Sequence, residues 1–157
     1  MSAKRWSIAT LTSTHRKIAL DANVLIYLLE GHEPLGRHAG AVVDSIEAGD
    51  VAGSMATIGQ FEILAGPARV GDAPLFERSA DEIRSMGLRL IPLTSEVAEE
   101  AAWLRGQGGL ELGDAIHVAT ARVAGATAMI TNDRGIRSRP GLEVRYLDDL
   151  VTDDPSA

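Results

Sequence analysis

The stretch Ile18-Ala19-Leu20-Asp21-Ala22-Asn23-Val24-Leu25-Ile26-Tyr27-Leu28-Leu29 decides the fold. A short apolar run meets the polar Asp-Ala-Asn and then a second apolar run, which is too long for one strand and has helical potential. The pattern predicts a buried strand, a polar turn and a helix. It also places the carboxylate of Asp21 directly after a strand, where α/β proteins usually bind their ligands.

The same alternation of strands and helices continues along the rest of the chain. Thr57 to Gln60 matches a capping box at the start of a helix through Leu64. The other predicted helices are 39–48, 74–86, 95–107 and 111–124, and the other strands are 51–53, 88–93, 128–131 and 144–147. Such alternation predicts an α/β domain with a parallel sheet and right-handed crossovers.

The ends of the chain differ from this domain. Residues 1–16 are polar and mixed and lack a clear period, so we expect an N-terminal extension that is loosely attached. The domain itself is predicted to span 17–150, and an acidic tail, 151–157, follows it.

Composition excludes several classes of protein. The chain has 157 residues, 45% of them hydrophobic, which suits one domain with a sizeable core. The absence of cysteine excludes a disulfide framework and thiolate chemistry, and it is compatible with the cytoplasmic location that we expect. No stretch approaches the roughly 20 apolar residues of a membrane span, so we expect no membrane partner. The formal net charge of −7 argues at first against nucleic acid as a partner.

Four carboxylates occupy unusual places. Asp21 and Asp133 each follow a predicted strand, and they would face one crevice if the two strands are neighbours. Glu62 interrupts an apolar run, and Asp114 lies early in a largely apolar helix. Each acid alone can also be explained as a turn residue, a helix cap or part of a solvent-exposed stripe. If they converge, the four oxygen donors indicate a site for Mg²⁺ or Mn²⁺ and metal-assisted phosphoryl hydrolysis.

Four segments resemble, in order, the motifs of PIN-domain ribonucleases. They are Leu20–Ile26, Thr57 with Glu62–Gly66, Asp114–Ala121 and Ile130–Asp133. The resemblance extends from about residue 17 to 148, and the size of the chain is similar to that of VapC-like toxins of type II toxin–antitoxin modules. It implies a three-layer α/β/α sandwich with a parallel five-stranded sheet, which makes 17–150 a PIN domain.

The resemblance also implies a function. The protein would be an endoribonuclease toxin that uses one or two Mg²⁺ or Mn²⁺ ions to cut RNA, forms a homodimer and is silenced by a cognate antitoxin. Its catalytic and metal-binding residues would be Asp21, Glu62, Asp114 and Asp133. The positions that match the family's supporting polar residues, which orient a carboxylate or a water, are Asn23, Thr57 and Thr131.

Other residues near these motifs have two interpretations each. Arg134 and Arg137 follow Asp133 closely and are candidate RNA contacts, or else belong to a solvated loop. His117 lies one helical turn after Asp114, and we expect a partly buried, hydrogen-bonded side chain, with a ligand or RNA-contact role as the alternative.

Several alternative functions remain to be weighed. A haloacid-dehalogenase-type phosphatase and a receiver domain are disfavoured because no lysine follows Lys17. A catalytically silent PIN-like binding module and a PIN nuclease of RNA processing stay open. The net charge is also not evidence against RNA as a partner: without the four site acids, eighteen acidic residues face fifteen basic ones, or −3. We therefore expect RNA binding to rest on local arginines.

Overall fold

A five-stranded parallel sheet organises the protein in the computed structural model, which describes residues 5–152. The strand order is β3-β2-β1-β4-β5, and every neighbouring pair is parallel. The strands are β1 (Lys17–Leu20), β2 (Ala52–Ala56), β3 (Arg89–Ile91), β4 (Ala128–Thr131) and β5 (Glu143–Tyr146). The predicted parallel five-stranded sheet is thus confirmed.

Helices cover both faces of the sheet. One hydrophobic cluster joins one face to the first five helices, and a second joins the opposite face to the last two. The helices are α1 (Ile8–Thr14), α2 (Ala22–Glu30), α3 (Leu35–Glu47), α4 (Thr57–Arg69), α5 (Ala73–Ser85), α6 (Ser95–Gly108) and α7 (Leu112–Val123), and a 3₁₀ turn, Leu147–Asp149, follows β5. This arrangement is the predicted three-layer α/β/α sandwich.

The alternation of side chains along β1 explains why both faces are dry. Ile18 and Leu20 belong to the first cluster, whereas Ala19 between them belongs to the second. Successive residues of a strand point to opposite faces, and a strand that is covered on both sides needs apolar residues throughout. The apolar run that precedes Asp21 is therefore a central strand.

The N-terminal segment departs from prediction. Trp6 and Leu11 are only 5% and 3% exposed, and they belong to the first cluster. The backbone of Trp6 pairs with Leu150, and its indole N–H donates to the Tyr146 carbonyl at 2.8 Å. Loose attachment is therefore wrong for residues 5–16, because distant C-terminal residues supply their packing surface. Residues 1–4 and 153–157 of the predicted extension and tail lie outside the described residues, and the domain boundaries stay a prediction.

The capping box is also wrong. Helix α4 already begins at Thr57, and Ala56 precedes it without a side-chain cap. The reason is that β2 is longer than predicted and leads directly into the helix, so Thr57 is already helical.

Among the described residues no helix is long and apolar enough to cross a membrane.

Candidate metal centre

The strand order places a switch point beside β1. From β1 the chain builds outward through β2 to β3, and it then returns to the other side of β1 with β4 and β5. A crevice forms where strand order reverses, outside the carboxyl ends of the strands. Asp21 follows β1 and Asp133 follows the adjacent β4, so both lie at this edge of the sheet.

Asp21 is buried and held by neutral donors. One carboxylate oxygen of Asp21, Oδ1, accepts a hydrogen bond from the backbone N–H of Ala22 at 2.8 Å. The other oxygen, Oδ2, accepts from Thr131 Oγ1 at 2.7 Å and from Asn23 Nδ2 at 3.2 Å. Burial and the charge of Glu62 nevertheless raise the pKa of Asp21, although nearby His117 and the bonds from Thr131 and Ala22 oppose the rise. A buried carboxylate fixed in this way is well placed to bind a cation.

Thr131 and Asn23 connect the ends of the two strands. Thr131 Oγ1 donates to Asp21 and also accepts the backbone N–H of Asp133 at 3.0 Å. Asn23 Oδ1 accepts the N–H of Asn132 at 3.3 Å. Asp133 is exposed, and its Oδ1 accepts from Gly135 N at 2.8 Å, so it stabilises the turn as well as facing the site.

His117 connects Glu62 to Asp21. Its Nε2 lies 2.7 Å from Glu62 Oε1 and 3.5 Å from Asp21 Oδ1, and the residue is only 3% exposed. Burial alone would lower the pKa of His117, but the bond to Glu62 and the surrounding carboxylates raise it. Gly59 of α4 packs closely here, because a Cβ at this position would lie 2.7 Å from Met55 Sδ and 3.2 Å from His117 Cε1. The side chain is hydrogen-bonded as predicted, and it is buried more deeply.

Asp114 lies half-buried in the first turn of α7, close to the other acids. Burial and the negative charges of Asp133 and Asp21 raise its pKa to about 6. Like charges disfavour ionisation of a neighbour, and Asp133 and Asp21 come from two other segments of the chain. Together with the bond from His117 to Glu62, all four predicted acids are electrostatically connected.

The donor set fits a hard divalent cation. As placed, no group of three or more His, Asp or Glu side chains in residues 5–152 is arranged to hold a metal ion. The donors are nevertheless carboxylate oxygens, which Mg²⁺ and Mn²⁺ prefer, and their mutual repulsion favours a bound cation. If a cation binds here, its candidate ligands are the four predicted acids, Asp21, Glu62, Asp114 and Asp133.

The remaining predicted residues lie around this centre. Thr57 is half-buried at the start of α4, and Arg137 is exposed. Arg134 donates to both oxygens of Asp149, at 3.2 and 3.3 Å, and its guanidinium carbon lies 4.1 Å from the Tyr146 ring centroid. Sequence reasoning missed this pairing, because no local pattern links Arg134 to a residue fifteen positions away.

A parallel α/β domain with acidic side chains at its switch point defines the class of protein. The sequence profile of the PIN domain matches residues 18–142, and the chain therefore belongs to the PIN domain family. PIN domains are generally nucleases that use divalent metal ions. A comparison with curated proteins gave no match.

Solved structures of VapC-like toxins have the same fold. A toxin–antitoxin complex from Klebsiella pneumoniae is 25% identical, covers 80% of this chain and 94% of its own, and has a TM-score of 0.61. VapBC2 from Rickettsia felis, bound to a promoter DNA fragment, is 18% identical, covers 83% and 98%, and has a TM-score of 0.67. VapC20 of Mycobacterium tuberculosis, a toxin that cleaves the sarcin–ricin loop, is 18% identical, covers 71% and 86%, and has a TM-score of 0.55. The predicted resemblance to VapC-like toxins is confirmed.

Proposed function

We propose that this protein is a metal-dependent endoribonuclease and the toxin of a toxin–antitoxin module. The observation that carries the proposal is geometric: Asp21 and Asp133 follow the adjacent strands β1 and β4, and His117 Nε2 lies 2.7 Å from Glu62 Oε1 and 3.5 Å from Asp21 Oδ1. Like charges brought together at the edge of the sheet suit a divalent cation. The similarity to toxin–antitoxin complexes supports the biological role.

The four carboxylates would hold one or two Mg²⁺ or Mn²⁺ ions. The chemistry that such an ion supplies when bound is the activation of water and neutralisation of charge on a phosphodiester. Thr131 and Asn23 fix both the orientation of Asp21 and the spacing of the strand ends, through the bonds at 2.7 and 3.2 Å. His117 holds Glu62 toward Asp21. We assign Thr57, at the start of the helix that carries Glu62, to the same supporting group.

RNA and a cognate antitoxin are the proposed partners, and the cytoplasm the proposed location. Arg137 is exposed and is the better candidate of the two predicted RNA contacts, because Arg134 already pairs with Asp149. A homodimer would be favoured by exposed apolar residues on the packed helices α6 and α7, where Trp103 is 66% and Leu112 is 62% exposed.

Cleavage of RNA by the purified protein tests the enzymatic part. We expect wild type to cut RNA with Mn²⁺ and to be inactive with EDTA. Asp21→Asn should retain the fold and fall to the level of the EDTA-treated wild type, since an amide is a weaker cation ligand than a carboxylate. Asp44→Asn, an exposed aspartate on α3, is the matched control and should cleave like wild type.

The outcome separates the candidate functions. Absence of cleavage by wild type would contradict the proposed mechanism and favour a silent binding module. Equal cleavage by wild type and Asp21→Asn would instead contradict the role assigned to Asp21. Growth arrest on expression, relieved by the product of a neighbouring gene and absent for Asp21→Asn, is expected of a toxin. Cleavage in vitro without growth arrest would favour a nuclease of RNA processing.

A further inference from the structure

A groove of about 750 Å³ runs along the β5 edge of the sheet. Residues of β5 line it together with residues of the loop 134–142, which begins directly after Asp133. Lining residues come from both ends of β5, so the groove extends over the length of this four-residue strand, about 13 Å. Arg134, which lines the groove, directly follows Asp133 in the chain, whereas none of the four candidate carboxylates lines it.

The groove is basic within an acidic protein. Arg134, Arg139 and Arg145 line it. The lining contains these three arginines and two acids, Glu143 and Asp149, although the whole chain carries a net charge of −7. A local concentration of one charge attracts the opposite charge even when the overall balance points the other way. The groove is thus suited to a polyanion.

Arg139 is the uncompensated cation of the groove. Arg134 pairs with Asp149, and Arg145 pairs with Glu143. Within residues 5–152, the guanidinium of Arg139 donates only to the Arg137 carbonyl, at 3.3 Å, and has no carboxylate partner. Burial and the neighbouring charge of Arg122 lower the pKa of Arg139. A half-buried guanidinium that faces a like charge gains stability from a bound anion.

We propose that this groove holds the sugar–phosphate backbone of the RNA substrate and that Arg139 contacts a phosphate of the strand. The proposal rests on the ribonuclease function proposed above. Guanidinium groups bind phosphate oxygens through two parallel hydrogen bonds, which explains the use of arginine here. An acidic peptide would also match the charge. RNA is favoured because one continuous strand can lie over the carboxylates and then enter a groove that begins at the next residue, Arg134.

Binding of a fluorescein-labelled single-stranded oligoribonucleotide of mixed sequence tests the groove. Anisotropy is measured with the full chain in EDTA, which prevents cleavage, at several KCl concentrations. Arg139→Gln should weaken binding about tenfold and reduce the slope of log affinity against log salt by about 0.7, the value for one phosphate contact on a single strand. Arg78→Gln is the matched control: it removes one exposed arginine from α5, outside the groove, and should bind like wild type.

Two further variants and a second probe complete the experiment. Arg139→Lys keeps the charge and should retain most of the affinity and the salt slope, and unfolding midpoints verify that each variant folds. A fluorescein-labelled polyglutamate peptide tests the other polyanion. Equal RNA affinity for Arg139→Gln and Arg78→Gln would overturn the proposal, as would no RNA binding by wild type. A loss of affinity by Arg139→Gln that is confined to the polyglutamate peptide would also overturn the proposal.

The failure of this proposal is distinguishable from the failure of the proposed function. If wild type cuts RNA with Mn²⁺ but Arg139→Gln binds the oligoribonucleotide like wild type, the nuclease stands and the groove is refuted. If wild type binds RNA through Arg139 but does not cut it, the groove is a binding site and the nuclease is refuted.

Discussion

Asp114→Asn should stabilise the metal-free protein. In the folded chain Asp114 is half-buried and faces the charges of Asp133 and Asp21, and these effects raise its pKa from 3.8 to about 6. Ionisation of the Asp114 carboxyl group therefore costs more free energy in the folded protein than in the unfolded chain. Asparagine has nearly the same shape and no charge, so it relieves the repulsion and leaves packing almost unchanged.

The sign and the size follow from proton linkage. Between pH 3.8 and about 6 the folded protein keeps a proton that the unfolded chain has lost, so stability falls as pH rises through this window. The difference of about two units between the two pKa values corresponds to a loss of at most about 3 kcal/mol in the free energy of unfolding above pH 6. Because Asp114 is partly exposed, solvent screening reduces this, and we expect a gain of about 1 kcal/mol for Asp114→Asn at pH 7.5.

Urea unfolding in EDTA measures this gain at pH 7.5 and at pH 4. Glu96→Gln is the matched control, because Glu96 is an exposed acid in the first turn of α6. Its loss should lower stability by about 0.5 kcal/mol through the helix dipole. Asp114→Asn should have the opposite sign at pH 7.5, and its gain should shrink toward pH 4, where Asp114 is already protonated. A loss of stability like that of Glu96→Gln, or a gain independent of pH, would refute the reasoning.

Two more predictions concern His117 and Trp6. His117→Gln should weaken Mn²⁺ binding about tenfold in calorimetry, because Glu62 loses the bond that holds it toward Asp21. The control His32→Gln, at an exposed position, should bind Mn²⁺ like wild type. Unchanged or tighter Mn²⁺ binding by His117→Gln would contradict this role of His117. Trp6→Ala should lower the free energy of unfolding in urea by about 3 kcal/mol, because the indole is buried and hydrogen-bonded. The control Trp103→Ala, at a side chain that is 66% exposed, should change this free energy by less than about 0.5 kcal/mol. Equal effects of the two tryptophan changes would show that the N-terminal segment contributes little.

The central part of the fold was predictable because its signals are local. The run before Asp21 and residues 128–131 are apolar on both strand faces, which indicates strands in a parallel sheet covered by helices. The segment before β1 gave no such signal. Trp6 and Leu11 are separated by polar residues, and Trp6 contacts Tyr146 and Leu150, more than a hundred residues away. Packing between the two ends of a chain leaves no period in either.

The positions of the candidate site residues after strands and in helices were predictable, and the contacts between them were less so. The positions of Asp21 and Asp133 after strands followed from the sequence, and the sheet order then made them neighbours. The contact of His117 with Glu62 could not be predicted from the sequence, because the two residues lie on different helices and are 55 positions apart. The i, i+3 spacing of Asp114 and His117 was the available signal, and it fits a satisfied core histidine equally well.

Local explanations of the acidic residues are correct and still insufficient. Asp21 caps α2, Asp114 lies in the first turn of α7, and Asp133 bonds the N–H of Gly135 in a turn. Asparagine or serine would cap or turn the chain about as well, and neither carries a charge. Burial and repulsion together raise the pKa of Asp114, and capping does not require the repulsion. The proposed divalent cation among the carboxylates would remove the repulsion and would account for ionisable groups at all three positions.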